Sequence, residues 1–280
     1  MYTTLIEAGT LYQHLRDPDW IVIDCRFDLS QPGAGQEAYL AGHIPGALSF
    51  HLDQDMSAAR NEAINGGRHP LPSRENACRH FANRGIGANM QVVAYDATGG
   101  MFAARLWWML RWIGHTQVAV LNGGLSAWQA QAYPLETGMR VRPAAQPVLG
   151  ESLVEYISAE TVLRNIQSRL RVLLDARARD RFRGENETLD PVAGHIPGAV
   201  NRFFKDNLNP DTSFKDVSVL RREFERISQG KPLIHQCGSG VTACHNILAM
   251  THAGLPAGGL YAGSWSEWIE DSNRPVTSSN

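Results

Sequence analysis

The chain has 280 residues, with 26 Lys and Arg against 28 Asp and Glu, so its formal net charge is −2. That balance lacks the basic excess of a nucleic-acid binder, and a composition 43% hydrophobic and 19% charged excludes a disordered or collagen-like chain. No run approaches the roughly 18–20 apolar residues of a membrane span, and the opening residues Met1-Tyr2-Thr3-Thr4-Leu5-Ile6-Glu7 lack the basic-then-apolar order of a secretion signal. The protein is therefore expected in the cytoplasm, bound to neither membrane nor nucleic acid, and its length suggests about two domains.

In chain order, Trp20-Ile21-Val22-Ile23-Asp24-Cys25-Arg26 is an apolar run closed by an acid and an arginine, which predicts a buried parallel strand. Ala41-Gly42-His43-Ile44-Pro45-Gly46-Ala47 follows as a loop. The motif Gly67-Arg68-His69-Pro70-Leu71-Pro72 and the pair Met101-Phe102 are candidate linings of an interdomain cleft, which sequence alone does not place. Gln91–Tyr95 and Val118–Leu121 predict two further strands. Between them Met101–Trp112, apolar nearly all round, predicts a buried helix. Gly123-Gly124-Leu125-Ser126-Ala127-Trp128 comes next, and Thr137–Pro147, with two prolines and no apolar periodicity, predicts a surface linker.

The second half repeats this order. Val172-Leu173-Leu174-Asp175-Ala176-Arg177 echoes the first acid-and-arginine run, and Ala193-Gly194-His195-Ile196-Pro197-Gly198-Ala199 repeats residues 41–47 without a change. Tyr261-Ala262-Gly263-Ser264-Trp265-Ser266-Glu267-Trp268 echoes Gly123–Trp128, at a shorter separation, so the first half carries extra residues in its middle. Such self-similarity marks a duplication. The predicted organisation is a domain over 1–138, a linker over 139–150 and a second domain over 151–280. Short apolar runs alternating with helical patterns make each an α/β domain with a parallel sheet flanked by helices, and chemistry in such sheets sits on the loops leaving the carboxyl ends of strands.

Cys25, Cys78, Cys237 and Cys244 form no Cys-x-x-Cys pair, so neither a metal nor a cofactor is expected, and without an export signal disulfides are not expected either. Three of the four read as small buried or helix-surface thiols. Cys237 differs: it follows the strand Pro232-Leu233-Ile234-His235-Gln236 and opens Cys237-Gly238-Ser239-Gly240-Val241-Thr242-Ala243, after which Cys244–Met250 continues as a helix. The glycines let successive backbone N–H groups turn inward above a helix N-terminus, an anion cradle that favours a thiolate at its centre. The first-half counterpart is Asp96-Ala97-Thr98-Gly99-Gly100, with a carboxylate in place of the thiol, so the second copy is the catalytic candidate. A phosphatase of this kind needs Cys-x5-Arg to clamp phosphoryl oxygens. Here that position is Ala243, which favours sulfur transfer through a covalent persulfide over phosphoryl or arsenate chemistry.

The duplicated Asp-x-Arg and Gly-His-Ile-Pro-Gly-Ala motifs, the Tyr-Asp-Ala start of the first loop, the Cys237–Ala243 loop and Gly263-Ser264-Trp265-x-Glu267-Trp268 together resemble the tandem-domain rhodanese sulfurtransferases over nearly the whole chain. The resemblance implies two rhodanese-like α/β domains, only the C-terminal one catalytic. It implies Cys237 as persulfide carrier in a loop of Gly238, Ser239, Gly240, Val241 and Thr242, and as partners a small sulfur donor and a thiol or cyanide acceptor, with a thioredoxin-like protein as a candidate acceptor. The loop matches the Cys-Gly-Ser-Gly-Val-Thr of the mercaptopyruvate branch, whereas the thiosulfate branch places cations after the cysteine. Ser239 would then polarise the donor ketone or relay a proton.

In that branch the arginine of an Arg-Phe-x-Gly motif holds the substrate carboxylate, a position matched by Arg181, while Arg179 and Arg183 read as solvated. The family's second carboxylate-binding arginine has no counterpart in Glu185–Val192, which leaves thiosulfate as the alternative donor. A sulfur-carrier module fed by another protein is the non-catalytic alternative. His43 and His195 read as loop-fixing, since both halves carry them; the resemblance also makes His43 a candidate for a serine relay. Trp107, Trp108, Trp128, Trp265 and Trp268 read as packing residues.

Overall fold

The computed structural model describes Met1–Ser278. Its first compact unit comprises Met1–Ala58, Pro72–Leu153 and Leu208–Phe214; the second comprises Ala59–Leu71, Val154–Asn207 and the described residues from Lys215 onward. None of the described helices is long and apolar enough to cross a membrane.

The first unit is built on a parallel sheet of β1 (Leu5–Ile6), β2 (Trp20–Asp24), β3 (Leu48–Ser49), β4 (Gln91–Tyr95) and β5 (Val118–Leu121), in the order β1-β5-β4-β2-β3. The second repeats it with β6 (Glu155–Ile157), β7 (Val172–Asp175), β8 (Val200–Asn201), β9 (Leu233–Gln236) and β10 (Gly259–Tyr261), in the order β6-β10-β9-β7-β8, also parallel. The duplication read from the motifs is thus a duplication of topology. β4 and β5 are buried along their whole length, as continuous apolar runs covered on both faces must be. β9 starts after Pro232, which has no N–H to give to a ladder. All five tryptophans read as packing residues are fully buried.

The buried helix expected over 101–112 runs from Ala103 to Trp112. It starts late because the N–H groups of Phe102 and Ala103 are held by the Asp96 carboxylate at 2.8 and 3.0 Å.

The two repeated motifs of each half meet in one hydrogen-bond arrangement. Arg26 Nη2 donates to Asp24 Oδ2 at 2.6 Å and to the Gly42 carbonyl at 2.7 Å. Arg177 Nη2 does the same toward Asp175 Oδ2 and the Gly194 carbonyl, both at 2.8 Å. The acid ending the second strand of each unit therefore orients an arginine that ties the Gly-His-Ile-Pro-Gly loop to the sheet. The histidines of that loop act alike: His43 Nδ1 lies 2.8 Å from the Tyr39 carbonyl with its ring stacked on Tyr39, and His195 Nδ1 lies 2.8 Å from the Phe182 carbonyl, stacked on Phe182.

One cut near residues 139–150 does not describe the compact units, because each half lends a short segment. Ala59–Leu71 is held in the second unit by N–H groups of Gly66, Gly67 and Arg68, which donate to Glu267, Glu270 and Ser266. Leu208–Phe214 is held in the first, where Phe214 N–H donates to Asn122 at 2.8 Å. The expected linker carries neither helix nor strand, yet it is tied to the first unit through Ala145 N–H to the Ala82 carbonyl and Gly150 N–H to the Ile113 carbonyl.

Asp175→Ala should strand the buried charge of Arg177. The expected cost is about 3–5 kcal/mol, measured by urea denaturation; a loss below about 1 kcal/mol, the scale of a surface ion pair, would contradict this role.

Candidate active site

Cys237 leaves the carboxyl end of β9 and is 2% exposed. The loop it opens is shaped by the segment after β10. Ser264 Oγ accepts from Cys237 N–H at 3.0 Å, while the Cys237 and Gly238 carbonyls accept from Trp265 and Ser266 N–H at 3.0 and 2.8 Å. With those carbonyls turned toward the Ser264–Trp268 helix, the N–H groups of Gly238, Ser239 and Val241 have no hydrogen-bond partner among the described residues. Gly240 makes the turn in the left-handed region at φ +75°, and a Cβ there would lie 2.1 Å from the Ala262 carbonyl. The helix Thr242–His252 begins at the end of the loop.

The first unit carries the same loop with its ligand built in. Gly99 matches Gly240 at φ +74°, and Leu125 N–H donates to the Asp96 carbonyl at 2.9 Å, as Trp265 does to Cys237. There the Asp96 carboxylate fills the cradle, accepting from the N–H groups of Thr98, Gly100, Phe102 and Ala103 at 2.8–3.0 Å. The sister loop thus demonstrates the chemistry of this backbone: it binds an anion. In the second unit Cys237 stands where Asp96 does, and the N–H groups of Ser239 and Val241, which match those of Thr98 and Gly100, carry no such carboxylate.

Ser239 is buried, and its Oγ lies 2.7 Å from His69 Nδ1. The histidine paired with the loop serine is therefore His69, whereas His43 lies fully buried in the first unit against Tyr39. Sequence reasoning noted Gly67–Pro72 without placing it; the motif has no sister in the second half, so the repeat gave no guide. The glycines explain the placement. A Cβ on Gly67, at φ +90°, would lie 2.7 Å from the Gly263 carbonyl, and one on Gly66 would lie 2.4 Å from a Glu270 oxygen.

Arg181 stands in the helix Arg179–Arg183, which ends at Gly184 with φ +82°. Its Nε and Nη2 donate to the Glu187 carboxylate at 2.8–3.2 Å, and Nη2 reaches Asp190 Oδ2 at 3.3 Å. Arg68, from the loaned segment, pairs with the other oxygen of Asp190. Burial opposes ionisation of Glu187, yet the Arg181 fork and the N–H groups of Leu189 and Asp190 hold it below the usual carboxylate range. Burial pushes the Asp190 carboxyl above its ordinary value, against the pull of Arg68. Arg179 and Arg183 are exposed and paired with Asp206 and Glu185, away from this cluster.

The other thiols are placed differently. Burial, with Asp96 and Asp24 nearby, pushes the Cys25 thiol well above its ordinary value, and burial also raises Cys78. Cys244 donates to the Gly240 carbonyl at 3.3 Å, bracing the loop from the helix. Ala243 is fully buried and brings no cation to the cradle. Among the described residues no group of three or more His, Cys, Asp or Glu could hold a metal ion.

The rhodanese-like domain model matches the chain twice, over residues 7–131 and 158–271. The chain belongs to the rhodanese family. It is 45% identical to a probable 3-mercaptopyruvate sulfurtransferase of Pseudomonas aeruginosa over 97% of both chains, and 34% identical to bovine thiosulfate sulfurtransferase over 96% of this chain and 93% of that one. A solved 3-mercaptopyruvate sulfurtransferase from Leishmania major superposes with a TM-score of 0.85 at 27% identity, covering 98% of this chain and 76% of that one. The two sheets are accordingly two tandem rhodanese domains. In the first, Asp96 occupies the cradle of the rhodanese loop; in the second, Cys237 stands at its start.

Gly240→Ala should deform the second rhodanese loop, since the left-handed turn strains any side chain by about 1–3 kcal/mol and the added Cβ meets backbone. The expected result is a lower melting temperature together with loss of Cys237 labelling by iodoacetamide, read by peptide mass spectrometry. Wild-type labelling and stability would contradict it.

Proposed function

We infer that the protein is a sulfurtransferase that moves a sulfane sulfur from 3-mercaptopyruvate through a Cys237 persulfide to a thiol or cyanide acceptor. The observation that carries this reading is the Cys237 cradle with unpartnered N–H groups, where the sister loop uses equivalent groups to hold the Asp96 carboxylate. An anionic sulfur at that place is stabilised by oriented backbone dipoles at no cost in reorganisation.

The Cys237 thiolate attacks the donor sulfur, forming an S–S bond as the C–S bond breaks. The electron pair of that bond leaves on carbon as the enolate of pyruvate, which takes up a proton to become pyruvate. Ser239, hydrogen-bonded to His69 at 2.7 Å, is the group for the oxygen on which enolate charge develops, and His69 sets the direction of the serine proton. The terminal sulfur of the persulfide then passes to the acceptor, which restores the thiolate. A small thiol, cyanide or the dithiol of a thioredoxin-like protein serves as the nucleophile, and the cytoplasm, where such thiols stay reduced, suits the chemistry.

Thiosulfate is the second donor to test, because guanidinium groups of Arg68 and Arg181 lie beside Gly238 and are suited to a dianion. Thiosulfate has no ketone, so the Ser239–His69 pair has less to do in its reaction.

Incubation with 3-mercaptopyruvate should add the mass of one sulfur to the intact protein, and Cys237→Ser should abolish the adduct. No adduct from mercaptopyruvate, with full turnover on thiosulfate, would overturn the choice of donor. Ser239→Ala and His69→Gln should each lower kcat with mercaptopyruvate by about 10²–10⁴, with a smaller loss on thiosulfate; equal losses on both donors would remove the ketone role.

A further inference from the structure

The sister loops hold the residue at the cysteine position from opposite ends. In the first unit Asp96 is fixed through its side chain, whose carboxylate accepts from four N–H groups. A nucleophile that must reach a donor and then an acceptor has to keep its sulfur free, and Cys237 Sγ has no hydrogen-bond partner among the described residues. Cys237 is fixed through its backbone instead. Its carbonyl accepts from Trp265 N–H, and its own N–H donates to Ser264 Oγ at 3.0 Å. The Asp96 N–H has no such partner among the described residues.

Ser264 holds that N–H from a strained conformation. Among the described residues, five that are not glycine lie in the left-handed region, Ala132, Arg169, Thr212, Gln229 and Ser264, and of these Ser264 alone is buried. Arg169 and Gln229 close helices, a usual place for that conformation. Ser264, at φ +55°, opens one. The matching residue of the first unit is Gly124, at φ +58°, where a Cβ would lie 2.3 Å from the Asp96 carbonyl oxygen. The turn therefore suits glycine, and the second unit carries a side chain there in spite of the strain. That side chain makes two hydrogen bonds. The Ser264 hydroxyl donates to the Tyr261 carbonyl at 2.9 Å and accepts from Cys237, so it ties the end of β10 to the end of β9, its neighbour in the sheet.

We propose that Ser264 is a positioning residue for sulfur transfer: it pins the backbone N–H of Cys237, so that a sulfur with no bond of its own still stands at one place over the N–H groups of the loop. The proposal rests on the reading of Cys237 as the sulfur carrier and deepens it. The thiolate has to lie in line with the bond it attacks, and the persulfide then has to meet a second nucleophile, so one placement serves both half-reactions. A displacement of about 1 Å is enough to lower the rate about 10²-fold. In the first unit the side chain's own bonds secure the loop residue, and glycine at 124 suffices. In the second the side chain is the reactive group, and the securing bond has to come from a neighbour. Because Ser264 acts through the Cys237 backbone, its removal slows transfer whatever the donor.

The test compares the full-length wild type with Ser264→Gly and Ser264→Ala. Both lose the hydroxyl; glycine also removes the strain, whereas alanine keeps it. Persulfide formation from 3-mercaptopyruvate and from thiosulfate is followed by rapid quench and intact mass. At saturating donor it should slow about 10–100-fold in both variants, equally on each donor that the wild type uses. KM should stay within about threefold of wild type. Ser264→Gly should nevertheless melt at a higher temperature than Ser264→Ala. A structural role alone makes transfer follow stability, so wild-type transfer in Ser264→Gly, a loss confined to Ser264→Ala, or a loss that falls on KM alone overturns the proposal. If Ser264→Ala does not fold, Ser264→Gly decides in the same way. If the wild type takes up no sulfur from either donor, the carrier reading fails, and the anchor is judged by the rate at which iodoacetamide labels Cys237. A rate about tenfold lower in Ser264→Gly, as the sulfur leaves the N–H groups that favour its anion, sustains it; an unchanged or higher rate overturns it.

Discussion

The constraint on which this molecule turns is that a left-handed glycine at the end of a parallel strand points several backbone N–H groups at one spot, and that spot needs an anion. In the first unit the need is met by Asp96, whose carboxylate closes the loop on itself. In the second unit the same backbone is built, its carbonyls held away by Trp265 and Ser266, but the side chain at the centre is a thiol. A single exchange of carboxylate for sulfur separates a finished structural element from a reactive one, because an internal anion satisfies the cradle permanently whereas a thiol leaves the N–H groups to whatever anion the reaction brings.

The same logic governs the charged side chains. A net charge of −2 gives the chain no general attraction for anions, so capture has to be arranged locally. Arg68, Arg177 and Arg181 lie around the Cys237 loop, each paired with an acid whose side chain is buried: Asp190, Asp175 and Glu187. The acids neutralise most of the charge and fix the planes of the guanidiniums, which lowers the cost of burying them. Arg177 Nη2 ties Asp175 to the Gly194 carbonyl and its face lies over Trp265, while its buried Nη1 has no hydrogen-bond partner among the described residues.

Much of this was legible in the sequence, and the misses have a common cause. The repeated Asp-x-Arg and Gly-His-Ile-Pro-Gly motifs mark the duplication, and the short apolar runs mark the central strands, because strand burial and repeat identity are local properties of the chain. Cys237 stood out through its neighbours: a strand before it, two glycines and a helix after it. His69 and Arg68 did not, because their place depends on contacts with residues about 120 to 170 positions away, which no periodicity encodes. The repeat reads His43 and His195 alike as loop-fixing, and their rings stack on Tyr39 and Phe182 in the same way; only the resemblance makes His43 a relay candidate. Glu185–Val192, which holds no arginine, supplies Glu187 and Asp190, the acids that pair with the neighbouring Arg181 and with Arg68 from the first half of the sequence.

The loan of Ala59–Leu71 to the second unit also bears on what a domain with no thiol in its rhodanese loop contributes to the chain. The segment lies between β3 and the helix Arg74–Asn83, both elements of the first unit's sequence, and has little regular structure of its own beyond one short turn at Arg60–Glu62. Free, it would lose its position to chain entropy, at about 1–2 kcal/mol per ordered residue. Tethered at both ends, and received by three successive N–H bonds from Gly66, Gly67 and Arg68, it brings one histidine and one arginine to the Cys237 loop. The second half of the sequence alone, without Ala59–Leu71, would keep Cys237, its cradle and Arg181, but would leave Ser239 without His69 and Asp190 without Arg68. The first half of the sequence thus lends the histidine that pairs with Ser239 and an arginine that pairs with Asp190, while its own cradle is closed by Asp96.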